Sequence, residues 1–121
     1  MKILLVDDDA FLRDMYATKF TEAKHDVSVA SGGEEGMQVI KETGPFDVVV
    51  MDMVMPGMSG IDFLKAIAMI PEAEKMRCVV LSNQGEEKDK QAAESAGAVG
   101  YIVKAESIPS EVVARVEELA K

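Results

Sequence analysis

Residues 3–9 read Ile3-Leu4-Leu5-Val6-Asp7-Asp8-Asp9: four aliphatic side chains in a row, then three carboxylates. A strand with one wet face alternates apolar and polar residues. An unbroken aliphatic run is the mark of a strand buried on both faces, as in a parallel sheet covered by helices. The same pattern recurs three times: Val48-Val49-Val50-Met51 runs into Asp52, Val79-Val80-Leu81 into Ser82, and Tyr101-Ile102-Val103 into Lys104. Open parallel sheets collect ligand-binding and catalytic groups at the carboxyl ends of their strands. Carboxylates, a hydroxyl and an ammonium at one such edge make a site for a divalent cation and a phosphoryl group.

Outward from these runs, strand and helix patterns alternate five times. Strands are expected near residues 2–7, 27–30, 47–51, 77–82 and 99–103. The first helix is expected over residues 10–23, capped by Asp9, with Phe11, Leu12, Met15, Tyr16 and Phe20 on one face. The second runs from Ser31 to Thr43, with Ser31 and Glu34 as a capping box and Gly44-Pro45 as its stop. Ser59 and Asp62 form another such box opening a third helix through Ile61, Leu64, Ile67 and Ala68. The fourth covers residues 86–96 and is closed by Gly97; the fifth starts at Pro109, which leaves Ile108 as a chemically poor cap. Five βα units predict a doubly wound α/β fold, and right-handed crossovers leave few orders. Strand order 2-1-3-4-5 sets the first and third strands side by side and brings Asp7, Asp8 and Asp52 together.

The 121 residues are one domain's worth, and a 48% hydrophobic content calls for a packed core. A net charge of −9 argues against non-specific nucleic-acid binding, which needs clustered Lys and Arg. Cys78 is the single cysteine; it cannot form an internal disulfide and reads as a small core residue in a reducing compartment. No apolar stretch reaches membrane-spanning length and no signal-peptide layout opens the chain, so a soluble, cytoplasmic protein without a membrane partner is expected. His25, the only histidine, is expected at the surface.

Carboxylates at close range repel unless a cation neutralises them. Mg²⁺, or Mn²⁺ in its place, suits the donor set, with Asp8 and Asp52 as direct ligands, Asp7 acting through a water, and the Val54 backbone carbonyl as a further oxygen. Asp52 lies in an apolar setting where capping is less natural, and a carboxylate can attack phosphorus to give an acyl phosphate. Lys104 would pair with phosphoryl oxygens and Ser82 would donate a hydrogen bond. In isolation a triple Asp before a helix is usually a cap, and Lys104 and Ser82 are ordinary strand-end residues; together they describe one site.

Met51-Asp52-Met53-Val54-Met55-Pro56-Gly57-Met58-Ser59-Gly60, Val80-Leu81-Ser82-Asn83 and Gly100-Tyr101-Ile102-Val103-Lys104 join the opening stretch in a set that resembles the receiver domain of two-component response regulators, in its chemotaxis-type single-domain form. The resemblance covers the whole chain as a single domain of residues 1–121. It implies a flavodoxin-like five-stranded parallel sheet with five helices in a three-layer α/β/α sandwich. It implies Asp52 as phosphoacceptor, Asp8 as principal acidic Mg²⁺ ligand assisted by Asp7, Ser82 as switch hydroxyl, Tyr101 as switch aromatic and Lys104 as the site lysine. A histidine kinase or histidine phosphotransfer protein would donate the phosphoryl group. Phosphorylation would reshape the face of the fourth helix, fifth strand and fifth helix for an effector whose identity stays open, as does the choice between monomer and phosphorylation-dependent dimer. The receiver would catalyse its own phosphorylation and dephosphorylation without being a classical enzyme.

The chain departs from the family pattern at Ala105, where proline with a cis peptide is usual; a cis bond there would cost roughly 3–4 kcal/mol. A cis Lys104–Ala105 bond is the expectation, since Lys104 must still reach the phosphoryl group. Asn83 replaces the commoner alanine. Val54 and Gln84 stand where the family tunes dephosphorylation, and Gln84 either positions water or caps the fourth helix. The mixed charges of Glu86, Glu87, Lys88, Asp89, Lys90 and Glu94 are a solvated face or a partner-selecting one. The alternatives are a phosphorylation-independent receiver-like binding module and an FMN carrier. The carrier is poorly served by Asp7-Asp8-Asp9 in place of a phosphate loop and by the absence of Trp. An aspartyl-phosphate phosphatase would need an acid at Val54. The chain is expected to be a stand-alone receiver or an excerpt of a longer protein.

Overall fold

A computed structural model describes residues 1–121. The elements alternate: β1 (Lys2–Val6), α1 (Ala10–Glu22), β2 (Asp26–Ala30), α2 (Gly33–Thr43), β3 (Val48–Met51), α3 (Gly60–Ala68), β4 (Arg77–Ser82), α4 (Glu87–Ser95), β5 (Gly100–Val103) and α5 (Pro109–Leu119). Every strand pair is parallel and the order is β2-β1-β3-β4-β5, as the alternation of runs and helices predicts. No helix is long and apolar enough to cross a membrane.

The period-2 geometry of the strands divides the core in two. Leu4, Val6, Val49, Met51 and Val80 point to one face and pack with Phe63, Leu64 and Ile67 of α3, Ile40 of α2 and Ala93 of α4. Ile3, Leu5, Val48, Val50, Val79 and Leu81 point to the other and pack with Tyr16 and Phe20 of α1 and Val112, Val113 and Val116 of α5. This is why the runs are unbroken: each residue has a helix layer to meet. The register places Val6 beside Met51, so Asp7 and Asp52 leave the sheet as neighbours.

Caps fix where the helices begin. Asp9 accepts the Leu12 N–H at 3.1 Å, as expected, and Ser59 accepts the Asp62 N–H at 3.2 Å, which is half of the expected box, since Asp62 does not bond back to the Ser59 N–H. Ile108 offers no side-chain acceptor; Glu111 compensates by accepting the Ile108 N–H at 2.9 Å, half of a capping box. Gly97, at φ +111°, closes α4.

Several expectations need correction. The Ser31–Glu34 capping box does not form. Gly32 is the cap residue of α2, and the Ser31 hydroxyl donates to Glu35 at 2.8 Å instead. The helix begins one residue later than the box requires, and Gly33 packs so closely under Met58 that a Cβ there would lie 2.7 Å from the Met58 Sδ. Phe11 leaves the apolar face of α1 and is 76% exposed. At 100° per residue it lies about 140° around the helix from Tyr16, the centre of the buried stripe. His25 is half-buried rather than superficial, with Nε2 2.7 Å from a Glu117 carboxylate oxygen of α5 and Nδ1 3.0 Å from the Met1 amine. Lys104–Ala105 is trans, the one cis bond being Gly44–Pro45. Lys104–Glu106 form a 3₁₀ turn instead, and the lysine's long stem still enters the sheet edge.

Candidate functional site

Each strand end delivers one part of the site. β1 ends just before Asp7, whose N–H continues the ladder to the Ala30 carbonyl at 3.1 Å; β3 ends just before Asp52, whose N–H bonds the Val6 carbonyl at 3.2 Å. The two carboxylates are therefore held by sheet backbone. Asp8 follows in the β1–α1 loop and is exposed. One carboxylate oxygen from each of Asp7, Asp8 and Asp52 falls within a 4.8 Å cluster, the one group of metal-ligating side chains of its kind in the chain.

Lys104 is the counter-charge. Its Nζ donates to Asp7 Oδ2 at 2.8 Å and to Asp52 Oδ2 at 3.1 Å, with only 5% of its side chain exposed. Burial pulls its pKa down, but the hydrogen bond to Asp7 and the charges of Asp52 and Asp7 outweigh it and hold the ammonium above its usual range. Asp7 is sealed from water and spends its second oxygen on the Asp9 N–H at 2.9 Å. Asp52 has its oxygens held by Lys104 and, at 3.3 Å, by the Val54 N–H, yet 14% of its side chain reaches solvent. Of the three acids it alone is both fixed at each oxygen and open to an incoming group. Asp8 is bonded to neither Lys104 nor the loop amides and is the acid free to take a cation. The donor set, all hard oxygens at one edge with one acid unpaired, fits a Mg²⁺-sized ion.

Ser82 ends β4, buried beside Val103, and its Oγ accepts the Gln84 N–H at 3.2 Å. Tyr101 is half-buried; its hydroxyl donates to the Gln84 carbonyl at 2.6 Å and its ring packs on the α3 side of the core. Burial raises its phenol pKa, the Ser82 hydroxyl lowers it, and Asp89 and Asp52 raise it further. The β4–α4 loop thus touches both Ser82 and Tyr101 through one residue, Gln84. That residue does not cap α4: Glu86 holds the cap position, with no side-chain bond. Asn83 and Ala105 are exposed at the rim, as is Val54.

Two residues of α1 also stand near the acids: Arg13, which the strand-end pattern does not point to, and Tyr16, which reads from the sequence only as part of the apolar face. Arg13 Nη1 donates to the Asp7 carbonyl at 3.1 Å. Tyr16, buried on α1, lies close enough to Lys104 and Asp7 to feel both: burial raises its phenol pKa first, Lys104 lowers it and Asp7 raises it. Helical spacing is the signal for both, since Arg13 lies about 60° from Tyr16 and so on the sheet-facing side of α1.

Comparison with known proteins agrees with this geometry. The family model for the response regulator receiver domain matches residues 3–117. A chemotaxis protein CheY of Thermotoga maritima is 38% identical over 121 residues, covering 99% of this chain and 98% of that protein. A protein-glutamate methylesterase/protein-glutamine glutaminase of Bacillus licheniformis is 36% identical over 107 residues; this chain spans 29% of its length. The solved structure of chemotaxis protein CheY4 of Vibrio cholerae superposes with a TM-score of 0.91 at 28% identity, over 98% of this chain and 97% of that one. Family, relative and fold agree: the chain belongs to the response regulator receiver domain family of two-component signalling, whose receiver domains generally act as phosphorylation-dependent switches and generally are not classical enzymes in themselves.

Proposed function

We propose that residues 1–121 act as one receiver unit that takes a phosphoryl group from a phosphohistidine onto Asp52, with Mg²⁺ bound by Asp8, Asp52, the Val54 carbonyl and, through water, Asp7. The observation that carries this reading is the unequal treatment of the three acids. Asp7 is sealed and paired, Asp8 is free, and Asp52 is held at both oxygens while open to solvent. Oδ1 or Oδ2 of Asp52 attacks phosphorus, the P–N bond to the donor imidazole breaks, and the imidazole leaves with a proton from water. The bound metal supplies charge neutralisation at the transferring group. Lys104 already stands 3.1 Å from Asp52 and turns its ammonium onto the new phosphoryl oxygens.

Readout runs through the β4–α4 loop. Ser82 gives its hydroxyl to the phosphoryl group and ceases to accept from Gln84 N–H; the Gln84 carbonyl, already bonded by Tyr101, moves with it. The α4–β5–α5 face changes shape and its affinity for an effector changes with it. This is a population shift, and a 1:99 to 99:1 reversal takes about 5.5 kcal/mol of differential stabilisation. The donor is a histidine kinase or histidine phosphotransfer protein, and the effector is a protein that reads this face.

The test is intact mass after incubation with Mg²⁺ and a small-molecule phosphodonor, beside Asp52→Asn. One phosphoryl group added to the parent, and none to the variant or without Mg²⁺, is the expected result. No addition under any of these conditions would leave a phosphorylation-independent binding module as the better account.

A further inference from the structure

We propose that Arg13 is a positioning residue for the cation site: by holding the Asp7 carbonyl it fixes the Asp7–Asp8 peptide and thereby the direction in which Asp8 presents its carboxylate. The inference rests on the reading of Asp7, Asp8 and Asp52 as a divalent-cation site.

Arg13 closes the first turn of α1, half-buried on the flank that faces the sheet, about 60° from Tyr16. Its Nη1 crosses the first turn to donate to the Asp7 carbonyl at 3.1 Å. In doing so it places Nε out of reach of water with no hydrogen-bond partner. An unpaired buried donor is costly, and the bond to the Asp7 carbonyl is made alongside that cost.

The carbonyl matters because of what hangs from it. The segment is pinned by the Asp7 N–H to the Ala30 carbonyl at 3.1 Å, by the Asp9 N–H to Asp7 Oδ1 at 2.9 Å, and by Arg13 on the Asp7 carbonyl. Lys104 holds the Asp7 carboxylate from across the sheet, and Arg13 is the one side chain that holds the Asp7 carbonyl. Lys104 reaches Asp7 and Asp52 but not Asp8, so Asp8 depends on its backbone for its aim. Partners that orient metal ligands are worth roughly 10–100-fold in metal affinity. A simple charge role has the opposite sign. A guanidinium bonded to the Asp7 carbonyl carries positive charge near the cation site and repels an incoming divalent cation, so on charge alone its removal would tighten binding.

The experiment is a Mn²⁺ titration of the full chain followed by the EPR signal of free Mn²⁺, with Mg²⁺ as competitor. It compares the parent, Arg13→Met, Arg13→Lys, Asp8→Asn and the double variant Asp8→Asn/Arg13→Met, each checked for folding by circular dichroism. Arg13→Met is expected to weaken Mn²⁺ binding about tenfold, or about 1.4 kcal/mol. Arg13→Lys, one atom shorter but still a donor, should recover part of that loss. In the Asp8→Asn background Arg13→Met should add nothing, because the ligand it aims is gone. Unchanged or tighter binding in Arg13→Met overturns the proposal, as does Arg13→Lys no better than Arg13→Met, or full additivity with Asp8→Asn. If Arg13→Met does not fold, Arg13→Lys decides: a loss of about two- to fivefold supports the role, and parental affinity overturns it. A parent that binds no Mn²⁺ refutes the cation site itself, a result distinct from an Arg13 variant that binds as the parent does.

Discussion

Removing Lys104 tests how the acid cluster is balanced. In Lys104→Met the stem's volume is kept and the ammonium is lost. Asp7 Oδ2, in a side chain only 3% exposed, then has no partner, with Asp52 and Asp8 close by. Stripping one partner from a buried ion pair costs about 3–5 kcal/mol. Asp52 is partly wet, so the lower end applies, about 3 kcal/mol. At about 4 °C per kcal/mol for a chain of this size, thermal unfolding should begin about 12 °C lower. The assay is circular dichroism melting in EDTA and again in excess Mg²⁺. A divalent cation takes over the neutralisation that Lys104 provided, so Mg²⁺ should narrow the gap between variant and parent. Midpoints within about 2 °C of each other in EDTA would refute the claim that this lysine balances the acids.

Other substitutions probe the frame around the site. A Cβ on Gly60 would lie 2.7 Å from Met53 Cα and also meet the Asp52 carbonyl, so Gly60→Ala should cost about 1–3 kcal/mol in denaturant unfolding and slow phosphorylation by displacing Asp52. Lys24 holds φ +73°, and Lys24→Gly should raise stability by about 0.5–1 kcal/mol, the relief of left-handed strain less the added freedom of the unfolded chain. Glu111→Ala removes the acceptor of the Ile108 N–H and should cost about 0.5–1 kcal/mol by the same measurement. Burial pushes the Cys78 thiol up to about 12 from an ordinary 9.0, so native protein should resist alkylation at neutral pH. Its raised value, like that of Lys104, means stability fully present below the unfolded-state pKa and lost as pH climbs through the folded one; a pH series of urea midpoints should fall on the alkaline side, from about 9 upward for the thiol.

The fold was legible because burial on both faces is written into residues 3–6, 48–51 and 79–81 without interruption, and period-2 geometry then assigns every residue to a helix layer. The convergence of Asp7, Asp8, Asp52 and Lys104 follows from the strand order, since each ends or follows a strand. What the sequence hid depends on contacts between distant segments. Met58 closes over Gly33 at the start of α2, and Glu117 pairs with His25 from α5. Phe11 was misplaced for a different reason: counting apolar residues along α1 overlooked the angle between them. The Lys104–Ala105 bond was misjudged because reach was assigned to the peptide, whereas a 3₁₀ turn and a four-carbon stem supply it. Arg13 is hard to find from sequence because a charged residue on a helix reads as solvated, and only its 60° offset from Tyr16 argues otherwise.

The central claim is that Asp52, and not its two acidic neighbours, carries the phosphoryl group. Borohydride reduces an acyl phosphate to an alcohol, so phosphorylated protein treated with borohydride and mapped by peptide mass spectrometry marks the acceptor as homoserine. Homoserine at position 52 alone, dependent on phosphodonor and Mg²⁺, is the predicted result. Homoserine at position 7 or 8, or none anywhere in protein whose mass shows a phosphoryl group, would contradict it.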